Sequence, residues 1–77
     1  MKLKIFGKLT EIFNTDEYNF SLENNISIAE LKLMLDKEFP RLKETTFLVA
    51  VDGLKADNNQ LISDTSEIAL LPPYSGG

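Results

Sequence analysis

The sequence predicts an α+β fold in which a mixed sheet packs on one main helix. Three observations predict it. Strand-like segments stand at both ends, at 2–6 and 68–71. A helix with start and stop signals runs from Ser27 to Phe39 between them. An apolar run at 47–51 then meets Asp52-Gly53, a hairpin dipeptide, because a type I′ turn needs positive φ at both central residues. Strands before and after a single long helix give a sheet with one helical layer.

Lys2-Leu3-Lys4-Ile5-Phe6 alternates polar and apolar residues, as a half-buried strand does. Leu9, Ile12 and Phe13 recur at i, i+3 and i+4, the face of a short helix. Tyr18, Phe20 and Leu22 alternate with Glu17, Asn19 and Ser21, predicting a second strand over 17–22. Ser27 and Glu30 have the spacing of a capping box, in which each side chain bonds the other's backbone N–H, and Ile26 is placed to staple onto Leu31. Ile28, Leu31, Leu35 and Phe39 then share one helix face, until Pro40 disfavours helical geometry at the preceding residue.

The run 47–51 reads as a strand covered on both faces, and 54–56 as its short return. Asp57-Asn58-Asn59 and Asp64-Thr65-Ser66 are polar turns. Residues 68–71 form the last strand, ended by Pro72-Pro73. The order matches a β-grasp arrangement, with the first and last strands central and parallel. The expected organisation is a single domain over 1–77, with a globule at 1–71 and an extended, mobile tail at 72–77.

Composition narrows the chemistry. There is no Cys and no His, so thiol nucleophile, imidazole base and the common zinc ligands are missing, and an enzyme acting alone is not expected. A formal charge of −4 argues against nucleic acid, whose ligands present a basic patch. The last basic residue is Lys55, and Asp57, Asp64 and Glu67 follow it, which predicts an anionic C-terminal end suited to a basic partner. The longest unbroken apolar run is too short to cross a bilayer, and no signal-peptide core opens the chain, so the expected location is cytoplasmic. Asn25-Ile26-Ser27 fits a glycosylation sequon but is read as chance, since Ser27 is the expected helix cap. Tyr18, Phe20 and Phe39 are expected in the core, while Leu61, Ile62 and Leu71 suit either the core or a partner surface.

The chemistry-bearing segment is the end, Leu70-Leu71-Pro72-Pro73-Tyr74-Ser75-Gly76-Gly77. Two prolines cannot donate to a ladder and hold the chain extended. From Pro72 onward six residues reach about 20 Å at most. Two terminal residues without side chains suit a channel too narrow for a Cβ, with a carboxylate at the tip.

This ending resembles that of the small subunit of molybdopterin synthase, the MoaD family of ubiquitin-like sulfur carriers. Ala50-Val51-Asp52-Gly53 is similar to that family's strand and hairpin, and the helix opening at Ser27 lies where the family has one. Asp52 stands where Asn is common, Thr65-Ser66 replaces Gly-Asp, and Thr10 precedes Glu11 where a basic residue is frequent. The resemblance implies a carrier cycle. An E1-like enzyme spends ATP to adenylate Gly77, a persulfide donor converts it to a thiocarboxylate, and the tail enters the synthase large subunit to sulfurate the pterin precursor of molybdenum cofactor. Gly77 is then the reacting residue, and Gly76, Ser75, Tyr74, Pro73 and Pro72 are tail contacts inside the partner. No cofactor or metal is expected on the chain itself, nor any nucleic-acid or membrane partner. The alternatives are a ubiquitin-like modifier joined to lysines through Gly77, a thiamine-pathway sulfur carrier, and a passive interaction module.

Overall fold

The computed structural model describes residues 1–73; Tyr74, Ser75, Gly76 and Gly77 lie outside the described residues. Five strands form the main sheet: β1 (Lys2–Ile5), β2 (Glu17–Asn19), β4 (Leu48–Val51), β5 (Leu54–Lys55) and β7 (Glu67–Leu71). Two further strands, β3 (Ile26–Ser27) and β6 (Leu61–Ile62), pair with each other outside that sheet. Helix α1 spans Leu9–Phe13, helix α2 spans Ile28–Glu38, and a 3₁₀ turn follows at Pro40–Glu44. The main sheet runs β2-β1-β7-β4-β5. β1 and β7 are parallel in register Leu3↔Ile68 and Ile5↔Leu70, while β2, β4 and β5 join antiparallel. The first and last strands are therefore central and parallel, as expected, and the fold is a ubiquitin-like β-grasp.

Period-2 alternation sets the core. Leu3, Ile5, Ile68, Leu70, Val49 and Val51 point to one face of the sheet and are buried, and Ile28, Leu31 and Leu35 of α2 join them in one cluster. The helix starts as its sequence dictates. Ser27 Oγ accepts from the Glu30 N–H at 3.2 Å, and Glu30 Oε1 accepts from the Ser27 N–H at 3.1 Å. It stops at Phe39, whose φ of −131° leaves the helical region before Pro40. Tyr18, Phe20 and Phe39, expected in the core, are half-buried and pack against it: Phe39 lies 4.2 Å from the buried Phe13 between centroids and meets Tyr18 edge-on at 5.2 Å.

The hairpin also forms as read, with φ of 50° at Asp52 and 87° at Gly53. Asp52 ties it to β7: its N–H donates to the Glu67 carbonyl at 2.8 Å, and its Oδ1 accepts from the Glu67 N–H at 3.0 Å.

Four expectations need correction. The strand expected over 17–22 starts at Glu17 but ends at Asn19, because the Leu22 N–H is taken by Asp64 Oδ1 at 2.9 Å instead of a ladder partner. The run at 47–51 is covered on one face only; Val49 and Val51 are buried, whereas Leu48 and Ala50 are half-buried on the outer side. The return strand expected over 54–56 closes at Lys55. The C-terminal end is not a single anionic body. Glu67 opens β7 beside Lys2, so it sits at the pole opposite Leu71, roughly 13 Å away at strand rise. Asp64 is engaged there too, with the Met1 amine at 3.0 Å.

Candidate functional site

β7 delivers the chain to the candidate site. Its last residue, Leu71, pairs with Leu48 of β4, and on the other side the Phe6 N–H donates to the Leu70 carbonyl at 3.0 Å. That is where the ladder with β1 stops. Pro72 has no N–H to continue it, which is why two prolines end the strand. Pro72 is half-buried and Pro73 is exposed, so only the second proline stands clear of the body.

Beside Pro72 lies Gly7, a residue that sequence reasoning did not single out. Gly7 turns the chain out of β1 with φ of +60°. An ideal Cβ placed on it would lie 2.9 Å from Pro72 Cγ. The available signal was a glycine directly after a strand, which marks either a turn or a close backbone approach; here it marks both.

The outer face of the sheet leads up to this exit. Phe6 is 44% exposed, and Leu48, Ala50, Ala69 and Leu71 are half-buried. Two alanines at the centre keep the face low, and a depression of about 280 Å³ lies there among Lys2, Lys4, Phe6, Ala50, Glu67 and Ala69. Its far end carries charge of both signs, with Lys2 Nζ 3.6 Å from Glu17 Oε1. Of the residues left open between core and partner surface, Ile62 is buried, Leu71 is half-buried on this face, and Leu61 is exposed on β6.

The conspicuous carboxylates are structural. Asp64 bridges the Leu22 N–H and the Met1 amine. Its carboxyl is held below the usual range first by the Leu22 hydrogen bond and then by the amine. Among the described residues no group of three or more His, Cys, Asp or Glu side chains could hold a metal ion. No helix among them is long and apolar enough to cross a membrane. Of the expected site residues, Pro72 and Pro73 follow the end of β7, whereas Tyr74, Ser75, Gly76 and Gly77 lie outside the described residues.

A molybdopterin synthase sulfur carrier subunit from Chlamydomonas reinhardtii is 25% identical over 81 aligned positions, which cover all of this chain and 98% of that one. The solution structure of small archaeal modifier protein 1 from Methanosarcina acetivorans is 26% identical, covers 99% of this chain and 94% of its own, and superposes with a TM-score of 0.76. A Helicobacter pylori complex of subunits 1 and 2 of molybdopterin-converting factor contains a chain 25% identical, covering 99% and 96%, with a TM-score of 0.69. The family model of the ThiS family matches residues 3–77, through the terminal Gly-Gly. A β-grasp sheet whose final central strand runs out into Pro-Pro and ends in Gly-Gly, matched over nearly its whole length, belongs to the ThiS family of small sulfur-carrier and ubiquitin-like proteins.

Proposed function

We propose that this chain is a carrier activated at the C-terminal carboxyl of Gly77, which it presents to partner enzymes as an acyl-adenylate and then as a thiocarboxylate. The observation that carries the reading is the family match running through Gly76 and Gly77. A carboxylate with a pKa of about 3.3–3.7 is an anion at neutral pH and a poor electrophile, so it needs activation. One carboxylate oxygen attacks the α-phosphorus of ATP on an E1-like enzyme, and pyrophosphate leaves. The terminal sulfur of a protein persulfide then attacks the acyl carbon and AMP leaves. A second thiol of the donor cleaves the acyl disulfide, which releases the thiocarboxylate and leaves a disulfide on the donor. The chain has no cysteine of its own to compete in these exchanges.

For the destination of the activated terminus, the ThiS-family match and the likeness to an archaeal modifier support a modifier passed to lysine, or a sulfur carrier of the thiamine-pathway kind. A second reading is sulfur donation to a pterin precursor inside a synthase large subunit. The Chlamydomonas reinhardtii relative, the two-subunit Helicobacter pylori complex and the Pro72-Pro73 exit favour it. The test begins with the purified chain, the activating enzyme, ATP and a persulfide donor. The product should be heavier by the difference between sulfur and oxygen, and tandem mass spectrometry should assign that change to Gly77. Isopeptide-linked Gly-Gly remnants on lysines of other proteins mark the modifier. Sulfur transfer to a pterin by a reconstituted synthase marks the second reading. A product modified anywhere but Gly77 sinks the carrier mechanism.

A further inference from the structure

We propose that Gly7 is a positioning residue for the exit from β7: its bare α-carbon is the seat of the Pro72 ring, and this seat sets the direction in which the chain leaves the sheet at Pro73. The inference rests on the proposed function, since direction matters only if the terminus must reach another protein's active site.

The seat is held firmly on both sides. Below it, the Phe6 N–H bonds the Leu70 carbonyl at 3.0 Å, so the backbone entering Gly7 is fixed to β7 itself. Beyond it, the Gly7 carbonyl accepts from Thr10 Oγ1 at 2.8 Å and from the Thr10 N–H at 3.2 Å, which locks it to the first turn of α1. A Cβ at this position would meet Pro72 at three atoms, Cγ at 2.9 Å, Cδ at 3.4 Å and Cβ at 3.9 Å. A proline ring cannot swing aside as the end of a long side chain would. Its φ is also fixed near −65°. A ring beside Gly7 with that φ constrains how the chain enters Pro73.

Two separate demands meet at residue 7. Positive φ admits glycine and, at modest cost, asparagine. A Cβ at residue 7 would force the Pro72 ring or the backbone to shift. Gly53 provides the contrast, with φ of +87° but nothing within 4 Å of its notional Cβ. Asparagine should therefore be tolerated at 53 and not at 7. The difference isolates the Pro72 contact from backbone strain.

The experiment uses the full chain with Gly7→Asn, Pro72→Ala, their combination, and Gly53→Asn as control. Activation is read by ATP–pyrophosphate exchange. Displacing a reacting group by about 1 Å can cost on the order of a hundredfold in rate, so Gly7→Asn should lower kcat at least about tenfold while KM for the carrier stays within about twofold. Gly53→Asn should match the parent. The combination should recover to the level of Pro72→Ala, because removing Cγ and Cδ vacates the seat. A readout independent of activity comes from a nitroxide on Ser75→Cys, a unique thiol in a chain without cysteine. The pattern of amide relaxation it causes on the sheet should move in Gly7→Asn, spread in Pro72→Ala, and in the combination match that of Pro72→Ala. If the unsubstituted chain supports no exchange, the proposed function fails and the label pattern alone decides the seat. Should Gly7→Asn not fold, Pro72→Ala must still spread the label pattern. An unchanged pattern in either variant, or a kcat equal to the parent's in folded Gly7→Asn, overturns the proposal.

Discussion

Ser27 and Asp64 do comparable work by different chemistry. Ser27 satisfies an orphan N–H at the start of α2, reciprocated by Glu30. Replacing it with Ala should cost roughly 0.5–2 kcal/mol. Thermal melts should register the loss, while Gly77 loading of the folded fraction is unchanged, because the cap is remote in role from the tail. Asp64 joins the Leu22 backbone to the start of β1, and its carboxyl lies below the usual range, chiefly through the Leu22 N–H. A group whose folded pKa is depressed stabilises the fold above its unfolded value of about 3.9 and loses that contribution as pH falls through the folded value. Urea melts of the parent and Asp64→Asn should differ most near neutral pH, begin to converge near pH 4 (about the unfolded value), where the unfolded carboxylate takes up its proton, and meet once the pH has fallen through the lower folded value as well. A gap that stays constant to low pH would assign Asp64 a purely steric part.

At the scale of elements, the short pieces show how packing outweighs local pattern. β3 and β6 are two residues each, too brief to announce themselves by alternation, yet Ile26↔Ile62 and Ser27↔Leu61 pair in register. The pairing splits the dipeptide Leu61-Ile62: Ile62 is 2% exposed in the core and Leu61 is 65% exposed. Ile62→Ala should therefore cost about 2–5 kcal/mol, as a large-to-small change in a packed site does. Leu61→Ala should stay within about 0.5 kcal/mol. Chemical denaturation of the two variants checks this, and equal losses would mean that β6 is not seated as described. The 3₁₀ turn after Pro40 is a similar case. Its Leu42 is 1% exposed, buried by a turn that a helix-stop signal does not foretell.

At the scale of the molecule, the sheet separates two poles. One holds two separate sets of hydrogen bonds, Asp52 with the Glu67 backbone and Asp64 with the Leu22 N–H and the Met1 amine. The other releases the tail between the ends of β1 and β4. A chain built this way should tolerate change at Gly77 without loss of fold. Appending residues after Gly77, or deleting it, should leave the melting temperature unaltered. Either change should abolish thiocarboxylate formation at the terminus, by burying the carboxyl in a peptide bond or shortening the reach by roughly 3.3–3.6 Å. Intact-mass analysis after incubation with the activating enzyme reads the result. Normal loading of the deletion variant would refute a terminus-borne cargo.

Local chemistry was enough to determine the α+β class, the capped helix with its stop at Pro40, the Asp52-Gly53 hairpin and the core faces of β1 and β7. Each follows from hydrogen-bonding and steric limits within a few residues, together with the period of burial. Only the tertiary structure decided that Leu48 and Ala50 face outward, that Asp64 and Glu67 stand at the pole away from the tail, and that β3 finds β6. It alone brought Gly7 under Pro72, 65 residues apart by their numbers. Those relations depend on the parallel pairing of the first and last strands, a contact between chain segments whose register no local pattern carries.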